Sequence, residues 1–106
     1  MSSHKKDRFE EVIRDLAARF FSIESNRTSM ITVTKVESNT NNKIVTVYMT
    51  VYPENQEEAA MDFARRNLSD FRDFVKEKSR LALIPFFKFE IDRGEKARQK
   101  IDALTI

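Results

Sequence analysis

Arg65, Ser69, Arg72, Lys76 and Arg80 follow one another at intervals of four, three, four and four residues, so on a helix that lasts to Arg80 their side chains stack along one face. Such a row can attract an anion. The same spacing also describes an ordinary solvated helix face, because Asp62, Asp70, Asp73 and Glu77 are interspersed with it. Periodicity identifies a basic stripe and leaves its partner open. The chain carries 19 Lys and Arg against 17 Asp and Glu, so any attraction must come from how charge is distributed rather than from its excess.

Other constellations fall away on inspection. The one histidine, His4, lies in a polar stretch, Met1 to Lys6, expected to be a flexible tail, which leaves no histidine-based nucleophile and no metal cluster. The carboxylates are spread beside Lys and Arg, and no spacing singles out an acid/base pair. A single glycine, Gly94, excludes a P-loop, a dinucleotide fingerprint and the GxxG loop of an ordinary KH domain. Without cysteine there is neither a disulfide framework nor a thiolate metal site, which fits a reducing compartment. The expectation is a non-enzymatic protein with no cofactor or metal, in the cytosol, since no apolar run has the length of a membrane span or signal peptide.

The stripe belongs to a helix that runs almost directly into a strand. Phe63, Ala64, Leu68, Phe71, Phe74 and Val75 have helical spacing, and Asn67 and Ser69, whose side chains compete for backbone hydrogen bonds, suit a bend or break near Asn67. Pro85 biases Ile84 towards an extended conformation, after which Phe87, Phe89 and Ile91 share one strand face against Phe86, Lys88 and Glu90. Phe87 and Phe89 read as core. Phe86, Tyr48 and Tyr52 point to the other face, where a base-stacking role is open to them if they are exposed.

Upstream, Phe9, Val12, Ile13, Leu16, Phe20 and Ile23 predict a helix over Arg8 to Ile23, with Asp7 as N-cap and Glu10 completing a capping box. Ser25 to Ser29 is a polar connection. Met30 to Glu37 and Lys43 to Tyr52 read as two antiparallel strands joined by a turn over Ser38 to Asn42. Asn55 with Glu58 is the expected cap of the next helix, Gly94 marks a turn, and Ala97, Ile101 and Leu104 suggest a short final helix. The 106 residues thus form one α+β domain, with 93–106 as a helical extension and helices on one face of a three-stranded sheet.

At this point the residues suggest a family. Phe71–Arg72 followed by RLALIPFFKFEID over Arg80 to Asp92 resembles the end of the ribosome-binding factor A family, where an Ile-Arg pair precedes an R-L-R-x-x-P-E-L-x-F-x-x-D signature. ITVTKVES over Ile31 to Ser38 and VTVYMT over Val45 to Thr50 look like its two strands, so the likeness comprises four short segments in order and runs from the first helix to Asp92. The resemblance implies a two-layer type II KH-like fold without a GxxG loop, its first strand antiparallel to the second and parallel to the third. The family's helix is broken by an Ala-x-Gly kink, and here Asn67 and Ser69 hold the Ala and Gly positions. Phe86 stands where the family usually has glutamate.

The resemblance also implies a monomer that binds the small ribosomal subunit and its RNA and assists late maturation, with no membrane and no small-molecule substrate. By analogy Arg65, Arg66, Arg72, Lys76 and Arg80 would neutralise phosphates, Lys35 and Lys43 would be outer contacts, and Asn67 and Ser69 would offer hydrogen bonds at the bend. Arg72 has a structural alternative in an ion pair with Asp73 or Asp92. From another class, the chain could be a protein-interaction or dimerisation module that uses the free sheet face, with Phe86 and the tyrosines as anchors.

Overall fold

A computed structural model describes the backbone over residues 2–24, 29–39, 41 and 43–105, and side chains within it over 8–23, 29–39, 41 and 43–104. The elements are α1 (Ser2–Glu24), β1 (Met30–Ser38), β2 (Ile44–Tyr52), a 3-10 turn (Glu54–Gln56), α2 (Glu57–Arg66), α3 (Leu68–Lys78), β3 (Phe86–Ile91) and α4 (Arg93–Thr105). Helix α1 extends further upstream than the apolar pattern indicates. Asp7 therefore lies inside the helix rather than at its cap, and residues 25–28, 40 and 42 of the two expected connections lie outside the described residues, as do the side chains of His4 and Asp7.

Glu10 has a different partner from the one the capping box assigned it. Its Oε2 accepts from the backbone N–H of Ser38 at 2.6 Å and from the Ser38 hydroxyl at 2.9 Å, fastening α1 to the end of β1. Ser38 is buried, so removing the acceptor orphans a backbone donor. Glu10→Ala is expected to cost about 1–3 kcal/mol in urea unfolding, and Glu10→Gln, which keeps an acceptor, less than that.

The sheet order is β1-β2-β3. β1 pairs antiparallel with β2 as expected, but it is β2 that lies parallel to β3, from Ile44 opposite Phe86 to Met49 opposite Ile91. This corrects the implied parallel alignment of the first and third strands. The reason is the connection: α2 and α3 form a crossover from β2 to β3, and a crossover returns the chain in the direction it left.

One face of the sheet is covered by α1, α2 and α3. Phe71 of α3, fully buried, is ringed by Phe87 at 4.8 Å, Phe20 at 5.4 Å, Phe89 at 5.6 Å and Phe21 at 6.2 Å between centroids, mostly edge to face. Val45, Val47 and Met49 of the central strand complete this layer and expose nothing. Ala60 and Ala64, both buried, form the inward side of α2 together with Met61.

Helix α2 starts without a side-chain cap; its N-cap is Gln56, not Asn55, because the 3-10 turn intervenes. Helix α4 is the reverse case. Gly94 lies in its first turn with no positive φ, and Asp92 caps it, accepting at Oδ1 from the Glu95 N–H at 3.0 Å and at Oδ2 from the Thr34 hydroxyl at 2.6 Å. A bulge between Val33 and Lys35 accompanies this placement of Thr34. Lys96 then bonds Glu54 and Glu57 at 3.0 and 2.8 Å, tying α4 to the start of α2.

The Glu95 N–H, then the Thr34 hydroxyl, hold the Asp92 carboxyl below its ordinary value of 3.8. A depressed folded-state pKa contributes stability that is present above the unfolded value and disappears as pH falls through the folded one. Stability measured by urea unfolding is expected to fall on acidification below about pH 4, and that of Asp92→Asn, which caps without titrating, to fall less steeply.

Candidate functional site

The helix breaks at Asn67. Its φ of −97° and ψ of 15° end α2 and begin α3, its N–H is shared between the carbonyls of Phe63 and Ala64 at 3.1 Å, and its own carbonyl accepts from the Phe71 N–H at 2.9 Å. The Asn67 side-chain amide donates to the Phe63 carbonyl at 2.8 Å. Nothing in this bend requires a positive φ, so serine at position 69 does not obstruct it. The amide that makes the bend is thereby committed to backbone, whereas Ser69 is exposed in the first turn of α3.

On α3 the charges separate into two flanks. Asp70, Asp73 and Glu77 line a shallow depression with Phe20, Ile23 and Phe74, on the side towards α1. Arg72 goes the other way, donating from Nη1 to the Pro85 carbonyl, with its guanidinium 5.6 Å from the centre of the Phe86 ring. It pairs with neither Asp73 nor Asp92. The interspersed charge in the sequence thus becomes a basic side and an acidic side.

The basic row runs beside β3, whose outer edge pairs with no other strand among the described residues. Arg65 lines a recess with Glu90, Ile91 and Arg93 at the far end of that strand, Arg72 is fixed at its start, and Lys76 follows one turn later, exposed. Arg66 is also exposed, at the last position of α2. Among the described residues Arg65, Arg66 and Lys76 enter no ion pair. Glu57, Glu58 and Glu90 line the same recess as Arg65 and Arg93, so carboxylates outnumber cations at that end and the positive charge of the row is concentrated towards Arg72 and Lys76.

Arg80 does not join the row. Ser79 is extended (φ −111°, ψ 171°) and closes α3, so Arg80 lies beyond the helix, exposed, among the residues lining a groove with Arg8, Phe9, Val12 and Leu81. Lys43 does approach: the Phe86 N–H donates to its carbonyl at 2.9 Å, so the exposed Lys43 sits at the Phe86 end of the sheet. Lys35 lies on the opposite edge strand, 4.8 Å above the Tyr48 ring and 3.2 Å from Glu37, which raises its pKa. It is paired with a carboxylate and separated from the row by β2.

The sheet face away from α1, α2 and α3 carries the aromatic residues that the strand alternation assigns to it. Phe86 is 71% and Tyr52 76% exposed, while Tyr48 is half-buried. Thr50, on the same face, is buried near α4, with Lys96, Gln99, Lys100 and Ala103 close by. What stays open is the end carrying Phe86. Lys88 is exposed there with no ion pair among the described residues, a signal legible in the alternation of Phe86, Lys88 and Glu90. No described helix is long and apolar enough to cross a membrane.

The family model described as ribosome-binding factor A matches residues 5–105. No curated protein matches the chain. Among solved structures, the crystal structure of ribosome-binding factor A from Thermus thermophilus superposes with a TM-score of 0.76 at 19% identity, covering 83% of this chain and 96% of that one. A homology model of the Thermus thermophilus factor, fitted into the cryo-EM map of a 30S complex, gives 0.65 at 17% identity, covering 81% and 89%. These likenesses agree on the α+β, KH-like architecture with its three-stranded mixed sheet, and the match across nearly the whole length shows that the chain belongs to the ribosome-binding factor A family.

Proposed function

We propose that this protein is a non-enzymatic assembly factor that binds the small ribosomal subunit through its RNA and assists the late maturation of that subunit. The observation that carries the RNA contact is the exposed basic row of Arg65 and Arg66 at the end of α2 and Lys76 on α3, none of them in an ion pair among the described residues, on either side of the Asn67 break. Family membership and the likeness to a factor fitted into a 30S complex support the subunit as the partner. Arg72 contributes charge from a fixed position, and Lys43 extends the surface past the end of β3. Contacts of this kind read the course of the phosphates rather than base identity.

Co-sedimentation of the purified protein with immature and mature small subunits across a salt series tests this. The protein is expected to follow the subunit, to favour the immature form, and to be released as salt rises. A folded protein that stays in the supernatant even at low salt would overturn the assignment. The competing reading, a dimerisation module, draws on the exposure of Phe86 and Tyr52 and predicts a concentration-dependent dimer in light scattering. The ribosomal reading predicts a monomer.

A further inference from the structure

We infer that Phe86 is a stacking platform for an unpaired base of RNA, set at the point where the basic flank of α3 meets the open sheet face. This rests on the RNA-binding reading above and assigns to it a contact that phosphate neutralisation alone does not supply. A single exposed phenylalanine is ordinary by itself, and it points to a partner only when its surroundings are built to hold it. Here they are. The ring is 71% exposed, its strand position is fixed by pairing with Ile44, and the Arg72 guanidinium lies 5.6 Å from its centre while bonded to the Pro85 carbonyl. Arg72 is thus a positioning residue that restrains the ring and adds positive charge beside it.

The chemistry around the ring selects the occupant. Ile44, 37% exposed, is the cross-strand neighbour of Phe86 and extends the apolar floor. Lys43 stands next to Ile44, and Lys88 is two residues along β3 on the same face; both are exposed, and neither has an ion pair among the described residues. An aromatic face with one guanidinium against it, and with Lys43 and Lys88 at neighbouring positions of the sheet, matches a base joined to its phosphates, where a purely apolar protein partner would leave that charge unmatched. Duplex RNA keeps its bases stacked on one another, so the occupant is a single-stranded or looped nucleotide.

The chain contains no tryptophan, which makes Phe86→Trp a unique fluorescent reporter. Titrated with a short single-stranded oligoribonucleotide, Trp at this position is expected to be quenched saturably, and inorganic polyphosphate, which has the charge without the bases, to leave the emission unchanged. In parallel, Phe86→Leu should bind the oligonucleotide roughly five- to a hundredfold more weakly than wild type, while Phe86→Trp should bind it as well or better. Equal affinity of Phe86→Leu and wild type, RNA binding without quenching, or equal quenching by polyphosphate overturns the platform. Quenching that appears on concentrating the protein alone overturns it in favour of a second copy. Subunit co-sedimentation of the wild type is read separately: its failure removes the ribosomal partner, and the oligonucleotide titration still decides the stacking.

Discussion

The Arg65→Glu/Lys76→Glu protein is expected to remain as stable as wild type and to lose its hold on the small subunit. Both side chains are exposed and neither enters an ion pair among the described residues, so reversing them removes no internal bond, and surface changes of this sort usually shift stability by no more than about 0.5 kcal/mol. Binding is another matter. Removing two phosphate partners would reduce the salt slope of the association constant by about two, and the two repulsions introduced would lower affinity further, by at least about tenfold at low salt. The measurement is co-sedimentation across a salt series, with circular dichroism as the control for folding. Arg80→Glu provides an internal comparison: because α3 ends before Arg80, which therefore does not continue the row, its reversal should weaken binding far less than that of Lys76. Equal losses at the two positions would show that the row is not the contact.

Phe71→Ala is expected to have the largest effect on stability, about 3–5 kcal/mol, as for other large-to-small aromatic substitutions in cores. Domains of this size are commonly stable by about 5–15 kcal/mol, so the loss would remove much of the total and lower the melting temperature by roughly 15–30 °C. The site has little room to collapse, because Phe71 is in ring contact with side chains from α1 and β3 at once. Phe86→Ala, fifteen positions along, should cost less than about 1 kcal/mol, since it gives up an exposed ring and its stacking with one cation. Thermal unfolding of the two variants side by side separates the packing role of one phenylalanine from the surface role of the other. A similar loss in both would mean that Phe86 is structural and would count against its use as a platform.

The two rings also show what could be read without the structure. Alternation along Phe86 to Ile91 assigns Phe87 and Phe89 inward and Phe86 outward, and this follows because strand side chains alternate whatever lies on either side. Helical spacing likewise put Phe71 and Val75 inward and the arginines outward, and the weak helix-forming character of Asn67 located the break. Each of these is a property of neighbouring residues. The relative direction of the strands, by contrast, depends on how a crossover returns the chain, and nothing within β1 or β3 records that direction.

The caps failed for a related reason. Asp7 with Glu10 and Asn55 with Glu58 both have the spacing of a capping box, but Glu10 finds Ser38, twenty-eight residues away, and a 3-10 turn displaces Asn55. Asp92 became a cap where a turn was expected, held by Thr34 from across the sheet. Charge placement was settled the same way. In sequence Asp70, Asp73 and Glu77 are interleaved with Arg72 and Lys76; in three dimensions the acidic set lines the depression towards α1, while Arg72 reaches the Pro85 carbonyl at the start of β3. Local pattern determined which residues are inside, which are outside and where the helix bends. Which of the outward residues share a surface was decided by long-range packing, since that alone fixes how far α3 turns about its axis and where Arg72, Lys43 and Phe86 meet.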